Sequence, residues 1–462
     1  MRDDDVDLLD LARRIAGRAG RGEEIEVYAT RRRDTDVEVF GGEVESLSVS
    51  GVHGVGIRVV ANSRQGFAWA GSLDADLVDD ALAEARDNVE FGQPDEWYGL
   101  ASGADVADLS DRDSADLGAA HLELWRDDLL AVTADDKVQL ALELEKATRS
   151  ADTRVRGVEA AGYGDAAIET AVANSLGIGA QSRRTVCSAY AVAMAGAGVE
   201  TQTGYGFSAG RTIGDLDLET IPRDASERAV RLLGARQPRT SRLPVILDPL
   251  VTRAFLGVLS AAFSGESVLK GRSPFAGREG EEIASAAVSL VDDPTDARAL
   301  GASTHDSEGV PVRRNELVVG GALRGFLENV YTGRRAGRPS TGSAVRGGYK
   351  SMPGVGVRAL RMEPGRLSPG EVMASVPEAL YVQSVSGLHS GTNPISGDFS
   401  VGAEGLMVRA GELAEPVREV TIASTMQRML RDVAEVGSDL TFLPGPVAGV
   451  TLLISEMTMS GA

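Results

Sequence analysis

The amino-acid sequence predicts an α+β protein: an N-terminal mixed α/β domain with long antiparallel strands, then a C-terminal β-rich domain with a buried helix. Three observations lead there. Apolar and polar residues alternate through residues 25–70, broken at Gly41-Gly42 and Ala61-Asn62-Ser63, the pattern of half-buried strands joined by tight turns. Segments of helical period flank that stretch. Gly supplies 55 of 462 residues and aromatics only 5%, a turn-rich composition unlike that of a helical bundle.

Taken in order, Asp5 can cap a first helix whose apolar positions are Leu8, Ala12, Ile15 and Ala19, spaced to share one face. It stops near Gly20 and Gly22. The alternating stretch follows, with Ile25, Val27, Val37, Val39, Leu47, Val49, Ile57 and Phe67 among its apolar members. A second helix spans about 74–90, with Asp74 as cap and Val78, Leu82, Ala85 and Val89 on one face. Residues 92–118 read as a loop. A third helix, about 134–150, carries Leu140, Leu144 and Ala147. Strands return over 155–210, including a run of small residues from Ala189 to Gly198, and a fourth helix near 223–234 ends at Gly234.

The polar, Pro-bounded segment from Arg236 to Pro244 divides the chain into domains 1–235 and 243–462. Val245-Ile246-Leu247 reads as a short buried strand. Asp248-Pro249 opens a helix over 249–264, Asp as cap and Pro at the first position. That helix is apolar nearly all round, so burial is expected, with Ala261 facing inward. Residues 285–462 read as short strands, Gly-rich turns and one amphipathic helix around 424–436.

Charge narrows the function. Asp and Glu number 68 against 47 Lys and Arg, a net −21. No cationic run exceeds Arg31-Arg32-Arg33, so phosphate backbones are disfavoured and no nucleic-acid partner is expected. The lone Cys187 excludes an internal disulfide and any Cys-based zinc cluster. With no signal-like N-terminus and no apolar run of membrane length, a cytoplasmic protein without membrane association is expected.

Motifs narrow it further. The four His (His53, His121, His305, His389) are scattered, the nearest two lying 68 positions apart, so no local metal-ligand spacing exists. Read singly, His53, His121 and His305 are structural or surface imidazoles. Gly51-Val52-His53-Gly54-Val55-Gly56 sits inside strand alternation and opens no helix, which argues against a dinucleotide cradle. Acidic clusters such as Glu279-Gly280-Glu281-Glu282 and Asp292-Asp293 read as solvated loops. The unusual segment is 386–405, which packs five Gly, His389, Ser390, Asn393, Pro394, Ser396 and Asp398 into twenty residues. Such density implies several tight turns close to something. Asp398 is expected to accept from loop amides.

Ser386-Gly387-Leu388-His389-Ser390-Gly391-Thr392-Asn393-Pro394-Ile395-Ser396-Gly397-Asp398-Phe399-Ser400 resembles the signature of the TldE/PmbA branch of the TldD/PmbA family. Gly271-Arg272-Ser273-Pro274-Phe275-Ala276-Gly277 and Val291-Asp292-Asp293 resemble two further family motifs, as do Asn315-Glu316-Leu317 and Gly325-Phe326-Leu327. The resemblance implies a zinc peptidase complex. TldD-type members bind zinc through a His-Glu-x-x-x-His helix and a later Cys. TldE-type members lack those ligands and pair with a TldD-type subunit to trim unfolded peptides or mature peptide natural products. Here the motif falls near Leu256, Gly257 and Ala261, none of which can ligate zinc or act as a base. One His at 389, near the position of the active branch's Cys, cannot hold a catalytic zinc alone.

The resemblance therefore implies a non-catalytic subunit with no metal or cofactor of its own, zinc residing in a TldD-type partner. Catalytic residues are expected to be absent. His389, Ser390, Asn393, Ser396 and Asp398 are expected to face the partner or the substrate channel, with His389 and Asn393 nearest an extended, unfolded peptide held by strand addition. Two other readings stay open: a stand-alone peptide-binding homodimer, or an enzyme with its own non-metal site around His389, Ser390 and Asp398.

Overall fold

A computed structural model describes residues 6–105 and 122–462. Asp5 and His121 lie outside the described residues. The fold is α+β. Helix α1 (Leu8–Ala16) is capped by Asp7, whose carboxylate accepts from the amides of Leu9 and Asp10 at 2.9 Å each. Strands β1 (Glu23–Phe40) and β2 (Glu43–Ala61) form a long hairpin, and β3 (Arg64–Ala70) adds to its edge. Gly41 and Gly42 both take positive φ, as do Asn62 and Ser63. Two such residues in a row make the turn whose twist matches that of the strands it joins.

Helix α2 (Ala75–Phe91) starts at Asp74, which accepts from the Asp76 amide at 3.0 Å. After the short α3 (Asp127–Ala131), α4 (Ala134–Ser150) opens with a capping box of Thr133 and Asp136. Ala141 and Leu144 are its buried apolar positions; Ala147 faces solvent, because the helix turns Thr148 to the sheet instead. Strands β4 (Val155–Asn174), β5 (Gly179–Ala195) and β6 (Gln202–Gly210) complete a six-stranded antiparallel sheet in the order β3-β2-β1-β4-β5-β6. Helix α5 (Thr220–Val230) follows. It lies so close to β6 that a Cβ on Gly204 or Gly206 would run into the backbone of Ala225 or Ile221. The alanines at 189, 191, 193 and 195 are buried beneath it. That contact explains the small-residue run.

All these helices cover one face of the sheet. Leu8, Leu11 and Ile15 pack on Ile25, Val27 and Ile57 at one end. Leu144, Ile221 and Ala225 pack on Val37, Val39 and Tyr163 at the other. The opposite face, carrying the even-numbered β1 residues Tyr28 to Asp36, turns toward the C-terminal half.

The C-terminal half begins with β7 (Ser241–Leu247) and α6 (Pro249–Leu259), continued by a tighter turn over Ser260–Phe263. Short strands β8 (Leu290–Asp292), β9 (Asn315–Val319), β10 (Ala322–Leu323), β11 (Ala344–Val345), β12 (Gly354–Val355) and β13 (Leu360–Met362) form a four-stranded sheet, β10-β9-β8-β13, and the ribbon β11-β12. Strands β14 (Glu378–Ser386), β15 (Asp398–Arg409), β16 (Glu412–Thr425), β17 (Val433–Val436) and β18 (Leu452–Ser460) join β7 in the order β16-β15-β14-β7-β18-β17. An added β16–β18 pairing closes this sheet on itself.

Two expectations for this half need correcting. The amphipathic helix expected over 424–436 is a six-residue helix, Met426–Arg431, followed by β17. Val433 and Val436 are drawn into pairing with β18. Nor is α6 buried all round. Val251, Phe255, Leu256 and Leu259 enter the main core, whereas Gly257 and Ala261 are exposed. Ala261 does not face inward, because only one side of the helix meets the closed sheet.

A buried ionic cluster joins the halves. Glu26 of β1 accepts from Arg58 of β2 at 2.8 Å and from Arg346. Arg58 also reaches Glu308 at 3.1 Å, and Glu308 accepts from the Val330 amide at 2.9 Å. All four side chains are almost wholly buried. Burial alone would raise the Glu26 carboxyl, but Arg58 and Arg346 hold it below the usual carboxylate range. Burial dominates at Glu308 and pushes it up. Removing one partner of such a cluster strands the others in a low-dielectric interior. Glu26→Gln should therefore lower unfolding free energy by about 3–5 kcal/mol, read by urea denaturation. A loss no larger than that of a surface substitution would show that the cluster does not hold the halves together.

Candidate functional site

Three features bear on function. The first is the solvent face of α6. Asp248 caps the helix through the Leu250 amide at 3.0 Å. Its second oxygen takes Arg228 at 2.7 Å and the Tyr381 hydroxyl at 2.6 Å, which ties α6 to α5 and β14. On this rigid helix, Leu256 is buried while Gly257 and Ala261 look outward, and a Cβ at Gly257 would meet open space. None of the three offers a nitrogen, sulfur or carboxylate donor, so zinc does not fit here. Among the described residues, no three His, Cys, Asp or Glu side chains gather to hold a metal ion. The Gly271–Gly277 run supports the end of this helix. Ser273 Oγ donates to the Ala262 carbonyl at 2.6 Å, and Phe275 stacks on Phe263 at 5.4 Å.

The second feature is the Gly-rich segment between β14 and β15. It is a compact, internally bonded loop. Gly387, at positive φ, opens a single helical turn, Leu388–Gly391. Asn393 Oδ1 accepts from the amides of Ile395 at 2.9 Å and Ser396 at 3.3 Å. The Asx-type acceptor is thus Asn393. Asp398 instead accepts from Ser396 Oγ at 2.6 Å, because it already stands at the start of β15. The Asn393 amide donates to the Asp398 carbonyl and the Gly397 amide to the Asn393 carbonyl, at 2.9 and 2.8 Å. Below the loop, Phe399 meets Phe255 of α6 edge to face, 6.0 Å between ring centres. His389, Ser390, Asn393, Ser396 and Asp398 are all exposed. Ser390 Oγ donates to the Gly387 carbonyl at 3.2 Å, so neither Ser390 nor Asp398 is bonded to His389. Strand β15 is paired with β16 on one side and with β14 over Gly402–Arg409 on the other, where the loop itself covers the remaining end through the Thr392–Phe399 bridge and the Asn393 amide on the Asp398 carbonyl, so little edge is left for an added strand.

The third feature is invisible in the sequence: a cavity of about 1020 Å³ between the open face of the large sheet and the C-terminal loops. Thr30, Arg32, Asp34 and Arg184 belong to its floor; His305, Asp306, Arg346 and Arg358 belong to its roof. These residues come from two strands and several loops, so no linear motif announces them. Asp306 Oδ1 accepts from the Glu308 and Val310 amides, and Oδ2 from the Ala344 amide. Burial, reinforced by Glu308, nevertheless pushes its carboxyl up to about 7. Cys187 also lines the cavity, but its thiol is pushed up to about 12, chiefly by burial, and is no ready nucleophile. His53 stands on β2 and His305 in the cavity roof, apart from the His389 loop.

The cluster Glu279 to Glu282 is exposed, as expected, but Asp292 and Asp293 are buried. Asp292 accepts from the amides of Arg358 and Ala359 at 2.9 and 2.7 Å, and Asp293 pairs with Arg361 at 2.9 Å. They anchor the roof loops, because the Arg358 and Ala359 amides and Arg361 are nearby to receive them.

Sequence patterns of three PmbA/TldA metallopeptidase domains match the chain: the first domain at 25–89, the central domain at 127–233 and the C-terminal domain at 240–461. Metalloprotease PmbA of Escherichia coli O157:H7 is 27% identical over 96% of this chain and 93% of its own. The metalloprotease TldD homolog of Haemophilus influenzae is 24% identical over 94% and 92%. The crystal structure of TldE from Thermococcus kodakarensis superposes with a TM-score of 0.83 at 24% identity, covering 95% of this chain and 97% of that one.

Two outcomes follow from the geometry. Leu256→His should cost about 2–5 kcal/mol, since it exchanges core packing for an unsatisfied imidazole, whereas Ala261→His should stay within about 0.5 kcal/mol. Equal losses in urea denaturation would mean the exposed face is misplaced. The second concerns pH. Burial lowers the His305 pKa, and its Nδ1 lies 2.9 Å from Thr304 Oγ1. The folded imidazole therefore titrates below the unfolded value of about 6.5, so the unfolded chain takes up the proton first. Stability is complete above about pH 6.5 and declines as pH falls below it. His305→Gln should flatten that decline; parallel stability–pH curves for the two proteins would refute it.

Proposed function

This chain belongs to the PmbA/TldA metallopeptidase family, and from that premise we propose that it is the zinc-ligand-lacking subunit of a heteromeric TldD/TldE-type peptidase. The complex would cleave unfolded peptides or mature peptide natural products, with zinc supplied by a TldD-type partner. The observation that carries this reading is the donor-free face of α6. At the positions where the active branch would present its motif, the helix shows Gly257 and Ala261 to solvent and buries Leu256.

A second observation supports a partner. Residues 43–52 of β2 are exposed on both faces and, among the described residues, pair only with β1. Phe40, Val44, Leu47 and Val49 project there, each at least 44% exposed. Leu47 and Val49 stand opposite Val37 and Thr35 in register, on the face that the helices cover farther along. An unpaired edge bearing apolar side chains is a surface that another chain can complete. We assign it to the TldD-type subunit.

His389, Ser390 and Asn393 then act as exposed side chains of a stiff loop facing the partner or the peptide. Strand addition is assigned to the β2 edge and not to this loop. An independent site at His389 has no geometric support, since its neighbours are hydrogen-bonded elsewhere.

The purified chain should carry fewer than about one zinc per ten molecules by elemental analysis, and should co-purify with a TldD-type subunit. In the reconstituted pair, His389→Ala should preserve pairing and the melting temperature but lower peptide cleavage. Stoichiometric zinc in the isolated chain, or chelator-sensitive cleavage by it, would overturn the reading. Unchanged cleavage by His389→Ala would leave the loop a structural turn.

A further inference from the structure

The cavity floor carries a cation with no counter-charge among the described residues. Val52, Arg32, Ile168 and Arg184 stand side by side across β2, β1, β4 and β5. Next to them runs a row of hydroxyls, Thr30, Thr170 and Ser182, with Thr170 and Ser182 oxygens 2.9 Å apart. Arg32 is neutralised by Asp34, its Nε 2.8 Å from both carboxylate oxygens. Arg184 is half-buried, and its guanidinium makes no hydrogen bond or ion pair with any described residue. Across the cavity, Arg358 donates Nη2 to the Ala344 carbonyl at 2.7 Å; among the described residues its buried Nε has no partner, and its charge acts on the buried Asp306 and Asp292 without a direct ion pair. Lys350, at the cavity edge, rests on the Trp69 ring at 4.5 Å, likewise without a carboxylate.

This is not a shortage of acids, because the chain has 68 of them against 47 bases. Nor are the cavity's own carboxylates free to answer Arg184. Asp34 is taken by Arg32, Asp165 by Lys137 at 2.6 Å, and Asp306 by three backbone amides. Asp36 lies four residues along β1 from Arg32, about 13 Å at the usual rise of a strand. Burial, with Arg358 and Arg32 close by, lowers the Arg184 pKa, the mark of a guanidinium held in a place that does not suit an unpaired charge. An acidic protein that leaves such a group unmatched beside hydroxyl donors has kept it for something else.

The geometry points to an anion subsite: Arg184, assisted by Arg358 and the Thr170–Ser182 hydroxyls, receives a carboxylate of a peptide lying in the cavity. The planar guanidinium presents paired N–H donors that match the two carboxylate oxygens. A cavity of about 1020 Å³ admits a short peptide rather than a lone ion. That the ligand is a peptide rests on the subunit reading above. The carboxylate is either the peptide's C-terminus or an acidic side chain.

Calorimetric titration of the isolated full chain separates these. The probes are acetyl-tetraalanine with a free C-terminus, the same peptide as its C-terminal amide, and acetyl-Ala-Glu-Ala-Ala amide. Wild type should bind the free acid, and Arg184→Gln should weaken that binding roughly tenfold or more. Arg184→Lys should fall between, because the charge remains and the fork is lost. Arg183→Gln, on the opposite face of the same strand, should bind as wild type. The melting temperature of Arg184→Gln should not drop, since the variant removes an unpaired charge. If the amide of tetraalanine fails and the glutamyl amide binds, the site takes acidic side chains; if both amides fail, it takes the C-terminus. Equal binding of acid and amide, no binding of any probe by wild type, or an Arg184→Gln that binds as wild type overturns the subsite. Binding needs no partner, so failure to co-purify with a TldD-type subunit would sink only the subunit reading.

Discussion

The structure hangs on the buried cluster of Glu26, Arg58, Glu308 and Arg346. Four charges leave water only if each finds its opposite, and their positions on β1, β2 and two C-terminal loops allow one relative placement of sheet and body. A second strut stands at the far side, where Arg211, just after β6, donates to the Ala297 and Ala299 carbonyls at 3.0 and 2.7 Å. Between the two struts the sheet touches the C-terminal loops at Tyr28, which lies under Arg346, and at Val172 and Ala180, which crowd Gly309, and the large cavity is the space left around these contacts. The ion cluster thus does more than stabilise: it determines how wide the space above Arg184 can be. Apolar packing could join the halves as strongly, but it would not dictate their register in the same way.

The C-terminal half applies the same economy to a helix. Strands β16, β15, β14, β7 and β18 close around the apolar side of α6, and Phe255 against Phe399 fixes the helix beneath the Gly-rich loop. The loop then satisfies its own backbone through Asn393 and the Asp398 carbonyl. A loop that completes its own hydrogen bonds can keep its side chains exposed without losing its shape. Among the described residues, that self-contained bonding leaves the His389 side chain exposed. On the exposed face of α6, Gly257 and Ala261 offer no zinc donor.

The sequence by itself determined what local chemistry controls. Asp74 and Asp248 cap their helices where expected, Gly41-Gly42 and Asn62-Ser63 turn their hairpins, and the Gly-rich run becomes a tight loop. Each depends on residues within a few positions, so each is legible along the chain. The family signature was legible for the same reason, being a contiguous string. What only the tertiary structure decided depends on what faces what. Ala261 points to solvent because the closed sheet covers one side of α6; Asp292 and Asp293 are buried because distant amides and Arg361 receive them. Val433 and Val436 continue a strand instead of a helix because β18 is there to pair with them. Arg32 stands beside Ile168 only through strand register between segments more than a hundred residues apart, and the β4–β5 register then adds Arg184 to the row. Burial and charge pairing are properties of neighbours in space, and a linear pattern carries no record of them.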